Sequence, residues 1–340
     1  MPFRIDGTPD ADWWAQYREL EGLEVSVARA GSFQALIEAR EASSEWAGLS
    51  EKTREEWTRY HCVIGKAWGD QPVKALEPKH VMALRDQYAD IPPVDEQRRT
   101  KPLADYNNRP AAANNLLRAL SAMISWSIPR GWRADNPCDH IPKIKSGEGY
   151  PPWPMRAIEF FEKHGKPHLW YVAAVALYTG QRQSDVLGML KSDIADDLIR
   201  VKQDKTGKEL WVPIHRDLAP VLETMRKVHA AAKTPRLSKN LLVSTQGTAW
   251  TTDGFKSSWA TEMERREFHP FRRHRLVFHG LRKSSVVMLL EAGCTESEVS
   301  SITGQSLQMV EHYSKQVNQP KLARAAMKKW EASGRRNEND

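Results

Sequence analysis

Long hydrophobic runs are missing from this chain: although 40% of its 340 residues are apolar, no stretch approaches the ~20 residues that a bilayer span needs. The opening segment, MPFRIDGTPDADWW, has no apolar core of the secretory kind, so no signal peptide is expected. Cysteine is scarce. Cys62, Cys138 and Cys294 are far apart and form no CxxC pair, which excludes a disulfide framework and a structural zinc site and predicts a reducing, cytoplasmic setting. Internal repeats and long low-complexity tracts are absent, and so is the cluster of carboxylates that a two-metal nuclease requires.

What the chain does have is a lopsided charge. Residues 1–150 carry 20 Lys and Arg against 22 Asp and Glu, whereas residues 151–340 carry 30 against 21. The basic half suggests a polyanionic partner, most simply nucleic acid, with an ordinary basic surface as the alternative.

The texture changes once along the chain. SFQALIEAREAS, with Ser32 placed to cap it, SEKTREEWTRYHCVIGKAW, PKHVMALRDQYA and PAAANNLLRALSAMISWSIPRGW read as helices, with Pro78 and Pro110 suited to first turns and a stop at Pro129 to Gly131. Between the last two, DIPPVDEQRRTKPLADYNN reads as a polar loop. NPCDHIPKIKSGEGYPPWP (136–154) holds five prolines and two glycines and is the best linker candidate. Beyond it, HLWYVAAVALYTG is a nearly all-apolar helix that should end at Gly180 and lie central in a second core. DLIRVKQ and ELWVPI flank DKTGK as a hairpin, NLLVS is a candidate third strand, and Thr295 with Glu298 forms a capping box.

Four stretches of the second half carry polar residues that suit one chemistry. In YTGQRQSDVLGML, Arg182 is either an anion ligand or a partner of Asp185. In RVKQDKTGKELWVPI, Lys205 lies at the hairpin tip, with Lys202 and Lys208 close by. In FHGLRKSSVVMLLEAG, His279 and Arg282 share a helix face. ITGQSLQMVEHYSK offers Gln305 and, eight residues on, Tyr313. Two arginines, a histidine, a lysine, an amide and a tyrosine, with no metal cluster, suit attack on a phosphodiester. Guanidinium forks match the non-bridging oxygens, a lysine can protonate the leaving oxygen, and arginine neighbours help a tyrosine hydroxyl to lose its proton.

From about residue 33 to 330 the sequence resembles the tyrosine recombinases of the phage-integrase type. LYTGQRQSDVLGML resembles the first arginine box, KTGKELWVPI the β-hairpin with the catalytic lysine, HGLRKSSVVMLLEAG the His-x-x-Arg box, and ITGQSLQMVEHYSK the tyrosine box. LLRALSAMISWSIPRGWRADNPCDHI resembles the last helix of the core-binding module running into the linker. The resemblance implies catalytic Arg182, Lys205, His279, Arg282, Gln305 and Tyr313, with Asp185 in support. Two departures stand out. The family usually has His, sometimes Trp, where Gln305 follows Gly304, and its usual spacing to the tyrosine is one residue longer. Reduced or retuned activity is the expectation.

The implied fold is mainly α with a small antiparallel β-sheet (α+β). Its parts are an unassigned extension (1–32), a helical core-binding domain (33–135), the linker (136–154), a catalytic domain with a C-terminal helix (155–331) and a polar tail (332–340). The implied activity is metal- and ATP-independent cutting and rejoining of double-stranded DNA by a homo-tetramer on paired sites, in integration or excision of a mobile element. A directionality or DNA-bending factor is a further candidate partner, and the location is cytoplasmic and nucleoid-associated. The alternatives are a non-catalytic DNA-binding protein derived from a recombinase and a type IB topoisomerase-like enzyme. Arg265, Arg266, Arg272, Arg273 and Arg275 in RREFHPFRRHR, and Lys143 and Lys145 in the linker, are candidate DNA-backbone contacts. The amphipathic tail PKLARAAMKKWEAS packs either on a neighbouring protomer or on its own domain.

Overall fold

Ser32 has extended backbone and its hydroxyl accepts from Ala35 N at 3.3 Å, which opens helix α1, Phe33–Glu41. Ser43 and Ser50 cap α2, Ser44–Ala47, and α3, Glu51–Trp68, in the same way. Pro78 and Pro110 take the first positions of α4, Pro78–Ala89, and α5, Pro110–Ser127, where an N–H would have no helical partner anyway. After α5 a 3₁₀ turn, Ile128–Arg130, ends on left-handed Gly131. The apolar faces meet in a core that includes Phe33, Leu36, Ile64, Leu116, Leu120 and Met123, each buried side chain contributing roughly 2 kcal/mol.

The computed structural model describes residues 29–92, 107–147, 149–230, 238–314 and 319–332. Nearly all of the expected N-terminal extension, most of the polar loop before Asn107 and the tail after residue 332 lie outside the described residues. By internal contacts the chain divides into Met1–Gly147 and Glu148–Asp340. That boundary falls within the Pro-rich 136–154 segment, but the two ends of the segment are not loose. Cys138 is buried in the first core, and the Asn136 amide donates to Ser121 and Ser125 hydroxyls at 3.0 and 2.9 Å. Trp153 is buried in the second core, its Nε1 donating to the Val277 carbonyl at 2.9 Å.

In the second unit, α6 (Met155–His164) precedes the apolar helix α7, Pro167–Thr179. α7 buries residues on every side, as a central helix must, and stops at left-handed Gly180. α8 (Gln183–Gly188) follows, then a three-stranded antiparallel sheet in the order β1 (Ile194–Ala195), β2 (Leu198–Lys202), β3 (Glu209–Pro213). In β2 and β3, Arg200 faces Trp211 and Lys202 faces Glu209. NLLVS is not a strand of this sheet. Leu241, Leu242 and Val243 are buried, and this segment forms only isolated bridges, Leu190 with Asn240 and Val243 with Ala249. Its apolar side chains are absorbed by the core, and the third strand is the two-residue β1, too short to show an alternation.

The remaining helices are α9 (Leu218–Ala230), α10 (Thr252–Glu264), α11 (His269–Arg273), α12 (Phe278–Glu291), α13 (Glu296–Thr303), α14 (Leu307–Ser314) and α15 (Gln319–Ala332). The core is aromatic: Phe161, Trp259, Phe268 and Phe271 interlock, with Trp153 edge-on to Phe271 at 5.0 Å. A smaller cluster of Val286, Leu290, Val299, Val310 and Tyr313 fastens α12, α13 and α14 together. On α15, Lys329 Nζ donates to the Gly293 carbonyl at 2.6 Å, and Trp330 is 73% exposed. The chain is therefore mainly α with one small antiparallel sheet. No helix among the described residues is long and apolar enough to cross a membrane.

Candidate active site

The site is assembled where two helices end in left-handed glycines. At Gly180 (φ +64°), after α7, an added Cβ would lie 2.7 Å from Thr303 Cγ2 and 2.9 Å from Ser285 Oγ. At Gly304 (φ +67°), after α13, it would collide with Gln203 Nε2. Only glycine tolerates both the backbone and the crowding, so α7, α13 and the end of β2 come to one point.

Arg182 leaves this point as the extended N-cap of α8. Its Nη1 lies 3.6 Å from Asp185 Oδ2 and 3.3 Å from Gln203 Oε1. The two readings of Arg182 are therefore compatible: it is paired with Asp185 and yet keeps about a quarter of its side chain open. Asp185 is buried and accepts the Asp204 N–H at 3.1 Å, which ties the hairpin to the arginine.

His279 and Arg282 lie on the first turns of α12. Arg282 is only 5% exposed and donates from Nη1 to the Gly180 carbonyl at 2.5 Å. Burial, and then repulsion from Arg182, draws its pKa down to about 10, against the pull of Asp185 and Tyr313; it stays charged at neutral pH. His279 remains open to solvent, but partial desolvation and the charges of Arg282, Lys283 and Arg182 hold its pKa below the ordinary value. Tyr313, on α14, is buried. Desolvation raises its phenol pKa while Arg282 pulls the other way. It opens onto a cleft of about 1090 Å³ that Lys283, His312, Met309 and Phe271 also line.

Gln305 follows Gly304 and is buried, its carbonyl accepting from Ser300 Oγ at 2.6 Å. Its side-chain Nε2 is buried and has no hydrogen-bond partner among the described residues, a costly state for a donor unless an acceptor arrives. Lys205 is exposed at the hairpin tip, and its neighbour Thr206 donates to Gln203 Oε1 at 2.8 Å. Lys208 is the lysine in contact with the tyrosine box, its Nζ 3.5 Å from the Gly304 carbonyl. The structure thus draws Arg182, Asp185, Arg282, His279 and Tyr313 into one electrostatic cluster, seats Gln305 beside it, and leaves Lys205 on its rim. Among the described residues no group of three His, Cys, Asp or Glu is placed to hold a metal ion.

A sequence model of the phage integrase family matches residues 156–319, the stretch that holds all of these side chains. This stretch, just under half of the chain, is similar to the phage integrase family. An integrase of Enterobacteria phage P21 is 34% identical over 77 residues, 23% of this chain and 20% of that relative, so the match spans about a fifth of the relative's length. Among solved structures, a lambda integrase fragment dimer bound to a core site superposes with a TM-score of 0.64 at 19% identity, covering 83% of this chain and 95% of that one. A Tn1549 transposon integrase in complex with a circular intermediate DNA gives 0.68 at 14% identity, covering 88% and 100%. A lambda integrase tetramer bound to a Holliday junction gives 0.62 at 17%, covering 88% of each. At these identities the superpositions show a shared fold.

The matched stretch also holds residues that the motifs did not mark. Gln203 is fully buried; its Nε2 donates to Gln181 Oε1 (2.7 Å) and the Thr303 carbonyl (3.0 Å), and its Oε1 receives Arg182 and Thr206. Gln181 in turn donates to the Thr179 and Ile302 carbonyls. Gln181 adjoins Arg182 in sequence, which was a signal; Gln203 ends a strand and had none. Of the candidate DNA contacts, Lys143, Lys145, Arg266, Arg272, Arg273 and Arg275 are exposed. Arg265 is engaged by Glu262 and Glu267, and Arg272 donates to the Met263 carbonyl.

Proposed function

We propose that this protein is a site-specific DNA recombinase that cuts and rejoins DNA through a covalent tyrosine intermediate. The observation that carries the reading is the electrostatic imbalance around Tyr313. Arg182, Arg282 and His279 converge, with Asp185 as the carboxylate that pairs with Arg182, and Gln305 adds a buried donor that has no partner among the described residues. Such a set is complementary to an anion with developing charge, as at a phosphodiester under attack.

In the proposed step the Tyr313 oxygen attacks phosphorus while its proton passes to His279, which its lowered pKa keeps neutral and able to accept. The new bond is Tyr313 Oη to phosphorus; the broken bond is phosphorus to the 5′-oxygen, which takes a proton from Lys205 and leaves as a 5′-hydroxyl. The 3′-phosphotyrosine keeps the bond energy, so rejoining by another strand's 5′-hydroxyl needs no ATP. Arg182, Arg282 and Gln305 hold the non-bridging oxygens. The partner is duplex DNA, with Lys143, Lys145, Arg266, Arg273 and Arg275 on its backbone. Four protomers on two paired sites exchange strands, in integration or excision of a mobile element. The match of residues 156–319 to the phage integrase family and the DNA-bound integrases of like fold support this reading.

The test is a duplex of the sequence flanking the encoding element, nicked beside the cleavage point so that the cut fragment diffuses away. A protein–DNA adduct with a free 5′-hydroxyl is expected. Absence of an adduct on sites that are bound would indicate a DNA-binding module, and relaxation of arbitrary supercoiled plasmids would indicate a topoisomerase.

A further inference from the structure

Lys283, the residue after Arg282 on α12, is only 9% exposed. It makes no hydrogen bond and no ion pair among the described residues. Its ammonium instead lies 5.3 Å from the centroid of the Tyr313 ring. On its other side the backbone is close: a Cβ on Gly149 would sit 3.2 Å from Nζ. An amine in this position is costly to keep charged, and desolvation lowers its pKa accordingly. Among the described residues, the contact that stands out for this lysine is the aromatic ring beside it, at the wall of the cleft that both residues line.

We propose that Lys283 is a positioning residue for Tyr313: it holds the phenol ring from one face and supplies the positive charge that compensates its oxygen as the proton leaves. The inference rests on the reading of Tyr313 as the nucleophile. It accounts for a feature of the site that Arg182 and Arg282 leave open. Both arginines are engaged, with Asp185 and Gln203 and with the Gly180 carbonyl respectively, whereas among the described residues Lys283 has no hydrogen-bond or ion-pair partner and contacts the ring. The charged and titratable groups around the pair are His279 and Arg282 on α12, Arg182 and Asp185 at α8, Glu311 and His312 on α14, and Arg156, Glu267 and His274 along the cleft.

The experiment uses the full chain with Lys283→Met, which keeps length and removes charge, and Lys283→Arg, which keeps charge. Adduct formation on the nicked duplex is followed at saturating DNA as a function of pH, beside DNA affinity and thermal midpoint. The Tyr313 titration is read separately, as the ultraviolet difference between each protein and its Tyr313→Phe counterpart. Lys283→Met should slow adduct formation about 10- to 100-fold, leave DNA affinity within about 2-fold, and move the Tyr313 titration to higher pH. Lys283→Arg should restore most of the rate. The methionine protein should also be at least as heat-stable as the parent, because an unpaired buried charge is gone. An unchanged Tyr313 titration overturns the proposal, as does a rate loss that the arginine fails to rescue or that comes with a lowered thermal midpoint. If the parent forms no adduct, the recombinase reading fails, and the Tyr313 titration still decides the role of Lys283.

Discussion

Replacing Gln203 with leucine keeps the volume and removes four hydrogen bonds. Two of the partners, Arg182 and Thr206, are partly or fully open and can turn to water. The other two cannot: Gln181 Oε1 and the Thr303 carbonyl belong to residues 1% and 0% exposed. Each buried acceptor left without a donor costs about 1–3 kcal/mol, and the added apolar burial returns about 1–2 kcal/mol. At the middle of both ranges the net destabilisation is about 2–3 kcal/mol, or a fall of about 4–12 °C in the thermal midpoint for a unit of this size. Denaturant unfolding of Gln203→Leu measures it as a lower transition midpoint at constant slope. Arg182 also loses one of its two anchors, so adduct formation should fall further than stability alone explains. A leucine protein within about 0.5 kcal/mol of the parent would refute the assignment of Gln203 as the hub that joins the hairpin to α7 and α13.

His279 should set an acid limit to cleavage. Its pKa is lowered by burial and by Arg282, Lys283 and Arg182, so the neutral base persists below pH 6.5, and the stability it confers is full above pH 6.5 and lost as pH falls through the lowered value. The acid limb of single-turnover cleavage should therefore have its midpoint below pH 6.5 and move upward in Lys283→Met; a midpoint above 6.5 in the parent would contradict this. Gln305→Leu removes a buried donor that has no partner among the described residues, so the fold should be unchanged or about 1 kcal/mol more stable while cleavage falls about 10- to 100-fold. Lost stability with unaltered cleavage would show that Gln305 serves packing instead.

The parts of the fold that sequence made legible are those set by local chemistry. The Ser32 cap, the first-turn prolines Pro78 and Pro110, the Gly180 stop and the Thr295–Glu298 capping box all act within one turn. The site was legible for a similar reason: Arg182, His279, Arg282 and Tyr313 each lie within a short ordered stretch. Non-local features were not. NLLVS has strand composition, but its side chains are taken by the core, and β1 is two residues long. Gln203 and Lys283 owe their importance to what lies across from them, Gln181 and Thr303 in one case and the Tyr313 ring in the other. Among three neighbouring lysines, sequence favoured Lys205, and the structure places Lys208 on the Gly304 carbonyl and Lys205 on the rim. Cleavage by Lys205→Ala and Lys208→Ala is the comparison that separates them.

The central claim is that Tyr313 carries the DNA. Digesting the adduct with protease and mapping the DNA-linked peptide by mass spectrometry tests it most directly. The account predicts a nucleotide-bearing peptide modified at Tyr313, and a Tyr313→Phe protein that binds the same duplex yet yields no adduct. An adduct on another residue, or one that survives Tyr313→Phe, would contradict it.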